Sequence, residues 1–526
     1  MPSRKKIFYY GKDFLTVSTA LGICKGKISG VIDQDTRQKI IRSHEEVKKI
    51  VRDEKIVYGI NTGFGSLCQT IISNEDTNKL QENLLRSHSV GVGESVPDDI
   101  VRLMLILKIQ SLSFGYSGID IKTIDRILWL LNQDLLPLVP SKGSLGASGD
   151  LAPLAHLFLP LIGLGRIKYR GKFVDSENVY LKEGLAPIRL GPKEGLALIN
   201  GTQFITAFAI RIIEKFANCL EVADIIGAMT LEALLGSAKP FDDEIHRLRP
   251  FKGVQHVAHR MRILLDKSEM VASHASCGRV QDPYSIRCIP QVHGASRNAW
   301  QHLNQLVQVE MNSVTDNPVI INAGKTISGG NFHGQPLALP LDYCGVAASE
   351  LGNISERRTY LLLQGGVEGL PALLMRNTGI NSGFMIPQYT AAALVSENKT
   401  LCYPASADSI PTSLGQEDHV SMGSISARKT FQIIDNLELI LAVELLCAAQ
   451  AFDYRRPMKS GPIIEACHIM IRAKIDHAEE DRIFAQDIQE VHKIITSGIL
   501  VSKTYEIAKT EKIDLNGEYH EAFGIF

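Results

Sequence analysis

The sequence has almost no net charge. Its 526 residues include 56 lysines and arginines against 57 aspartates and glutamates, which gives a formal net charge of -1. Such a chain has no global basic field that would attract nucleic acid or acidic lipid, so we expect neither as a partner. Hydrophobic residues make up 45% and charged residues 21%. These values are ordinary for a globular protein, and the length allows two or more domains or one large helical body.

The sequence also lacks paired cysteines and a long apolar run. Its nine cysteines form no C-x-x-C pair, and several lie in apolar runs, which predicts buried, reduced thiols in a cytosolic protein. The basic N-terminus, MPSRKKIFYYGKD, has no apolar core of signal-peptide length. The uncharged stretch 195–210 contains Asn200, Thr202 and Gln203, and it falls short of the roughly 18 apolar residues that a spanning helix needs. We therefore expect a soluble, cytoplasmic protein.

Long helices that are apolar on every side dominate the second part of the chain. The first runs from 197 to 235 without proline, and similar stretches follow at 295–313, 335–365, 387–400 and 423–453. Such helices must be buried in a large bundle or between subunits, which predicts a homo-oligomer.

The first part of the chain has shorter predicted elements. We expect strands at KIFYY and FLTVS, helices near 34–54, 76–90 and 97–135, and a hairpin at 166–175. We divide the chain at residue 195. Residues 1–195 are an α/β-like region with the candidate catalytic loops, and 196–526 are a long-helix bundle and oligomerisation region whose charged tail, 470–526, is surface helix.

The loop GSLGASGD, residues 143–150, is the most unusual stretch. It matches neither phosphate-binding pattern, G-x-x-x-x-G-K-[ST] or a strand-anchored G-x-G-x-x-G. On local grounds alone a plain turn is favoured, in which Asp150 caps a helix whose first turn tolerates Pro153. A chemical alternative is that the Gly149 nitrogen attacks the Ala147 carbonyl carbon and closes a five-membered ring. Loss of two waters then turns the Ser148 side chain into an exocyclic methylidene, a strong electrophile made without an external cofactor.

The loop and its continuation, GSLGASGDLAPLAH, resemble the prosthetic-group loop of the aromatic amino acid ammonia-lyases, most closely of the members that act on histidine. The resemblance extends through further motifs in family order, which cover most of the span from 57 to 430. They are VYGINTGFG (57–65), LLRSHSVGVGE (84–94), KEGLALINGTQ (193–203), VQDPYSIRCIPQV (280–292), TDNP (315–318), ISGGNFHG (327–334), NSGFMIPQYTAAAL (381–394) and QEDHVSMG (416–423).

The resemblance implies a mainly α fold, an elongated bundle of long helices with a fumarase/aspartase-like helical core. It implies a homotetramer with active sites built from several subunits. It also implies that Ala147, Ser148 and Gly149 become a methylidene-imidazolone (MIO) ring. The implied reaction is non-oxidative elimination of ammonia from L-histidine to give trans-urocanate, the first step of histidine degradation.

The same resemblance gives roles to individual residues. Tyr58 is the expected base, and cationic or dipolar neighbours must help its phenol to ionise. Arg287 is expected to bind the substrate carboxylate through two hydrogen bonds, with Tyr284 one helical turn earlier and Gln281 as a weaker candidate. Asn200 would pair with the ring's carbonyl oxygen, and Phe332 would pack against the ring or the substrate.

Substrate choice is expected to depend on His88 and Glu417. A carboxylate at Glu417 can accept a hydrogen bond from an imidazole N–H, whereas a phenyl ring offers no such donor. The tyrosine- and phenylalanine-specific relatives typically have glutamine at this position, and Met385 is compatible with the histidine enzymes.

The residues alone leave other functions to be considered. One alternative is a tyrosine or phenylalanine ammonia-lyase, or an aminomutase with the same ring. A fumarase-class lyase lacks support because its Met-Pro-x-Lys-x-Asn run is missing, and a non-catalytic helical scaffold would keep its full translated mass. His256 and His259 have H-x-x-H spacing, but no third ligand is evident nearby, so we interpret them as helix-surface histidines and expect no metal.

Overall fold

A computed structural model of the chain describes residues 5–53, 55–63, 65, 70, 72–73, 76–275, 278–322 and 324–524. Phe64, Cys68 and Cys277, which belong to the motifs and cysteines considered above, lie outside the described residues. The expectation of a mainly α fold is confirmed. In chain order the helices are α1 (Val17–Cys24), α2 (Gln34–Arg52), α3 (Thr77–His88), α4 (Asp98–Ser113), α5 (Ile121–Asn132), α6 (Leu151–Phe158), α7 (Ser176–Glu183), α8 (Glu194–Ile199), α9 (Gln203–Ala233), α10 (Asp243–Arg247), α11 (Lys252–Leu264), α12 (Glu269–Ser273), α13 (Tyr284–Arg287), α14 (Ile289–Met311), α15 (Gln335–Leu363), α16 (Met385–Leu401), α17 (Gly423–Asp453), α18 (Pro462–Arg472), α19 (Phe484–Thr496), α20 (Ile499–Thr510) and α21 (His520–Phe523).

The strands are short and form small sheets. They are β1 (Lys6–Tyr9), β2 (Ile28–Val31), β3 (Val92–Ser95), β4 (Leu136–Pro137), β5 (Pro140–Lys142), β6 (Arg166–Tyr169), β7 (Lys172–Asp175), β8 (Val319–Asn322) and β9 (Lys325–Ile327). β1 pairs in parallel with β2, whereas β3–β5 and β8–β9 are antiparallel pairs. β4, β6 and β7 form an antiparallel sheet in that order, and the β6–β7 pair confirms the hairpin expected at 166–175.

Two local predictions were wrong. FLTVS is not a strand, because Thr16 caps α1 instead, with its hydroxyl accepting a hydrogen bond from the Thr19 nitrogen at 3.1 Å. The helical pattern at 97–135 belongs to two helices, α4 and α5, rather than one. The chain turns between them at Gly115 and Gly118, whose φ angles of 80° and 71° interrupt a helix.

The chain forms two compact units, each assembled from separated stretches. The first consists of Met1–Arg211, Asn304–Asp342 and Pro404–Arg428, and the second of Ile212–Leu303, Tyr343–Tyr403 and Lys429–Phe526. The sequence-based division at residue 195 was drawn from the positions of the catalytic motifs, and it stays a prediction.

Three helices of the first unit hold the candidate site in place. α3, α6 and α8 pack against one another. His88 ends α3, the loop 143–150 leads directly into α6, and Asn200 follows α8. Side chains that are distant in sequence therefore start from one packed group of helices.

In the second unit, the interpretation of His256 as a helix-surface residue was wrong. Its ring is fully buried, stacks on Phe523 with centroids 5.1 Å apart, and contacts Asn516 Oδ1 through Nε2 at 3.3 Å. The C-terminal residues therefore cover this face of α11, a contact that local periodicity could not reveal. Across the part of the chain that the structure describes, no group of three or more metal-ligating side chains is found.

Two further observations concern the helices and the cysteines. Among the described residues, no helix is long and apolar enough to cross a membrane. The cysteines that the structure describes are all free thiols, and Cys219, Cys344, Cys447 and Cys467 are buried.

Candidate active site

The loop 143–150 contains a tight left-handed turn. The φ angles are 89° at Gly146, 55° at Ser148 and 82° at Gly149, and the Gly149 nitrogen donates to the Gly146 carbonyl oxygen at 3.3 Å. Ser148 is held in a conformation that non-glycine residues rarely adopt. A Cβ on Gly149 would lie 2.2 Å from the Gly201 carbonyl oxygen, so only glycine fits at this position.

Asn200 and Gly201 hold this turn from the other side. Asn200 Nδ2 donates to the Ser148 carbonyl oxygen at 2.9 Å, and the Gly201 nitrogen approaches the same oxygen at 3.4 Å. The Asp150 nitrogen in turn donates to the Gly201 carbonyl oxygen at 2.7 Å. The Ser148 carbonyl thus faces two N–H donors, an arrangement that stabilises negative charge on its oxygen.

Asp150 caps a helix, but not the one expected. Its carboxylate makes no capping hydrogen bond to α6; Oδ2 instead accepts from the Phe204 and Ile205 nitrogens at 3.0 Å each, at the start of α9. Burial raises the pKa of Asp150 to about 7. The turn is therefore tied to α9, more than 50 residues further along the chain.

Two buried lysines support Asn200 and its neighbourhood. Lys108 Nζ donates to the Asn200 carbonyl oxygen at 2.6 Å, and burial lowers the pKa of Lys108 to about 7. Lys193 Nζ forms a buried ion pair with Asp316 at 2.8 Å and donates to the Ser117 carbonyl at 2.7 Å. Lys108 is a functional candidate that the sequence reasoning missed, although a lysine within the apolar run LMLILKIQSL was a usable signal.

The segment 420–424 forms another wall of the turn. The Met422 nitrogen donates to the Leu145 carbonyl oxygen at 3.0 Å, and Ser424 Oγ donates to the Ser144 carbonyl oxygen at 2.6 Å. Ala147 is buried against Val420 and Met422. The loop is therefore fixed by residues about 280 positions away in sequence.

Five of the predicted site residues, Tyr58, Ser148, Asn200, Phe332 and Glu417, line one cavity of about 430 Å³. Its described lining contains Ile56, Tyr58, Thr62, Gly65, Ser148, Leu196, Asn200, Asn317, Ser328, Gly329, Phe332, Gln416 and Glu417. An adjoining cavity of about 570 Å³ shares Tyr58, Ser148 and Glu417 and adds His88 and apolar side chains of α3. Asn317 and Gln416 were not singled out from the sequence.

The polar groups of these cavities have defined partners. The Gly65 nitrogen donates to the Tyr58 hydroxyl oxygen at 3.3 Å, a contact that favours negative charge on that oxygen. Thr412 Oγ1 donates to Glu417 Oε2 at 3.0 Å. His88 Nδ1 faces the Leu84 carbonyl oxygen at 2.9 Å, so Nδ1 has the hydrogen and Nε2 of the neutral ring is an acceptor. Burial lowers the pKa of His88, which favours this neutral form.

Gln281, Tyr284 and Arg287 lie in the second unit and are absent from the described lining of both cavities. Gln281 is exposed, and the Tyr284 side chain is 70% exposed. The Arg287 guanidinium lies over the Tyr284 ring, 4.4 Å from its centroid, and its Nε donates to the Asp282 carbonyl oxygen at 3.0 Å. The two side chains therefore share one face of α13, as their spacing predicted.

Comparison with known proteins identifies the class. The model of the aromatic amino acid lyase family matches residues 15–473, and the chain belongs to this family of enzymes. It is 48% identical over 481 residues to a histidine ammonia-lyase of Natranaerobius thermophilus, covering 91% of this chain and 94% of that protein.

Solved structures of the family have the same fold. The crystal structure of histidine ammonia-lyase from Trypanosoma cruzi is similar with a TM-score of 0.89 at 40% identity, and the match covers 98% of this chain and 97% of that one. Tyrosine aminomutase from Streptomyces globisporus is similar with a TM-score of 0.90 at 33% identity, covering 96% of this chain and 99% of that one.

Proposed function

We propose that the protein is a histidine ammonia-lyase, which eliminates ammonia from L-histidine to give trans-urocanate and so begins histidine degradation. The observation that carries the proposal is the carboxylate of Glu417 in a cavity with Tyr58, Ser148 and Asn200. A carboxylate at this position can accept a hydrogen bond from an imidazole N–H. It does not provide the apolar contact that a phenyl ring needs. The similarity to curated histidine ammonia-lyases over most of the chain supports the same substrate.

We further propose that Ala147, Ser148 and Gly149 cyclise to the MIO group, with no external cofactor. The residues fit this group because the turn is already tight, Gly149 has no room for a side chain, and the Ser148 carbonyl has two N–H donors. When formed, the group supplies an electron-poor alkene that acts as an electron sink. Asn200 Nδ2 then stabilises negative charge on the residue 148 oxygen.

The remaining roles follow from the contacts in the cavities. Tyr58 removes the β-proton, and its phenolate is favoured by the N–H of Gly65. Glu417 accepts the imidazole N–H of the substrate, and His88 presents an acceptor nitrogen in the adjoining cavity. Phe332 supplies an apolar wall. Water is excluded from the reacting carbons by this wall and by the apolar side chains of α3.

A substrate carboxylate is best bound by a lysine or an arginine, and the described lining of these cavities contains neither. We propose that the protein is a homotetramer in which Arg287, Tyr284 and Gln281 of a second copy complete each site. The exposure of Tyr284 and the alignment of Arg287 with it support this assignment, since the pair is presented as one unit on α13. The free thiols support a cytoplasmic location.

A tyrosine or phenylalanine ammonia-lyase, or an aminomutase, is the second candidate, and the structural similarity to tyrosine aminomutase favours it. Separate incubation with L-histidine, L-tyrosine and L-phenylalanine decides between the two by the ultraviolet absorbance of the conjugated acid product. We expect turnover of L-histidine alone, and an intact mass lower by two waters. Ser148→Ala should have neither property. Turnover of L-tyrosine in preference to L-histidine would refute the proposed substrate, and a wild-type protein of full translated mass would refute the ring.

A further inference from the structure

Thr412 and Glu417 close a six-residue loop at the edge of the cavity. The Thr412 nitrogen donates to the Glu417 carbonyl oxygen at 3.0 Å, and the Glu417 nitrogen approaches the Thr412 carbonyl oxygen at 3.4 Å. Between them, Ser413 and Leu414 have φ angles of 52° and 56°, and the Leu414 side chain is 94% exposed. Leu414 therefore packs little against the protein, and turn hydrogen bonds within the loop add to the pairing of its two ends.

The Thr412 side chain adds a hydrogen bond to the Glu417 carboxylate, the group that we propose to bind the substrate. Its hydroxyl donates to Glu417 Oε2 at 3.0 Å, so one carboxylate oxygen is occupied within the protein. The other oxygen, Oε1, points toward the segment that contains Tyr58, because a Cβ on Gly65 would lie 3.9 Å from it. Thr412 therefore fixes the orientation of the Glu417 carboxylate, with one oxygen bonded to the hydroxyl and the other directed toward the segment that contains Tyr58.

We infer that Thr412 is a positioning residue for substrate recognition, which orients Glu417 so that Oε1 accepts the imidazole N–H. This inference rests on the proposed function. Thr412 is outside the described lining of both cavities, so its effect on the substrate passes through Glu417. A carboxylate held by a hydroxyl is pre-organised, and a carboxylate without that donor must be ordered by the substrate at a cost in affinity.

The test compares Thr412→Val, which keeps the side-chain shape and removes the donor, with Thr412→Ser, which keeps the donor. We expect Thr412→Val to raise KM for L-histidine about tenfold, the value of one modest charge-assisted hydrogen bond, with kcat within about twofold of wild type. Thr412→Ser should restore a KM near that of wild type. Thr496→Val serves as a matched control, since its hydroxyl donates to the His492 carbonyl in the second unit.

A purely structural role for Thr412 predicts a different pattern. If Thr412→Val damaged the loop, its thermal midpoint or its kcat would be lower. Thr412→Ser would then not separate a change in KM from a change in kcat. Equal KM values for wild type and Thr412→Val would overturn the inference, as would an unchanged effect of Thr412→Val in a Glu417→Ala background, where no carboxylate remains to be oriented. Failure of wild type to turn over L-histidine would instead refute the proposed function.

Discussion

Asn200 joins the turn that contains Ser148 to the interior of the first unit. Its side-chain nitrogen donates to the Ser148 carbonyl oxygen at 2.9 Å, while its main-chain carbonyl accepts from Lys108 Nζ at 2.6 Å. One residue thus provides the donor and is itself anchored by a buried cation. Such anchoring keeps the donor in place before charge develops on the oxygen, so no reorganisation is needed during the reaction.

Asn200→Ala removes the donor to the Ser148 oxygen. We expect kcat for L-histidine to fall about 100- to 1000-fold, the usual loss when one donor of this kind is deleted. Intact mass should show whether the ring has still formed, which separates a catalytic defect from a maturation defect. Asn331→Ala is the control, because Asn331 is exposed and its side chain donates to the Val314 carbonyl, away from the Ser148 turn. A kcat near that of wild type would contradict the role of Asn200.

Gly149→Ala should block maturation. The added Cβ would lie 2.2 Å from the Gly201 carbonyl oxygen, and the φ of 82° is unfavourable for alanine. We expect purified Gly149→Ala to keep its full translated mass and to be inactive. Gly171→Ala is a matched control, since it has a φ of 81° and nothing within 4 Å of the added Cβ. If Gly149→Ala loses two waters as wild type does, the tight turn is not required.

Glu417→Gln tests the substrate assignment. Replacing the carboxylate by an amide removes a charge-assisted hydrogen bond to the imidazole, so kcat/KM for L-histidine should fall about 10- to 100-fold. Asp418→Asn, at the exposed neighbouring carboxylate, should have little effect. The measurement is steady-state turnover with L-histidine, L-tyrosine and L-phenylalanine. Unchanged turnover of L-histidine in Glu417→Gln would argue for one of the other aromatic substrates.

Asp150 should make the stability of the protein depend on pH. Burial raises its pKa from 3.8 to about 7, so between these values the folded carboxyl keeps a proton that the unfolded chain releases. The contribution of Asp150 to stability is therefore present below about pH 4 and is lost as the pH rises through about 7. Asp150→Asn keeps an acceptor for α9 and has no titrating group, so its thermal midpoint should fall less over this range. Parallel profiles would contradict this prediction.

Removal of one partner from the buried ion pair of Lys193 and Asp316 should strongly destabilise the protein. Lys193→Met leaves the Asp316 carboxylate buried without its cation, which costs about 3–5 kcal/mol. Lys12→Met is the control, because Lys12 pairs with Asp33 while 57% exposed, and solvent screens such surface pairs so that they contribute little to stability. Thermal unfolding should show a much larger decrease in midpoint for Lys193→Met. Similar midpoints for the two variants would show that the buried pair is not stabilising.

Features set by local sequence could be predicted. The hairpin at 166–175 follows from alternating residues around a glycine, and the long helices follow from their continuous apolar character, to which α9 adds a lack of proline. The motifs around Tyr58, Ser148, Asn200 and Glu417 identified the side chains that the structure brings to one cavity. In each case the information lies within a few residues of the feature.

Features set by distant contacts could not be predicted. Asp150 stands at the position of a cap for α6. Its carboxylate instead accepts hydrogen bonds from the start of α9, because the two segments meet only in the folded protein. His256 has the spacing of a surface residue and is buried by the C-terminal tail. Lys108 bonds to a residue 92 positions away and belongs to no motif that we singled out.

The distant residues that hold the turn have a consequence for biosynthesis. Residues 144–149 are held by Asn200, Gly201, Met422 and Ser424, which the ribosome adds long after the turn itself. A nascent chain that ends before residue 424 lacks some of the contacts that hold the turn in the shape that the proposed ring closure needs. We therefore expect the proposed ring to close only after residue 424 has been added and has folded against the turn, and chains that end earlier should keep an ordinary serine at position 148.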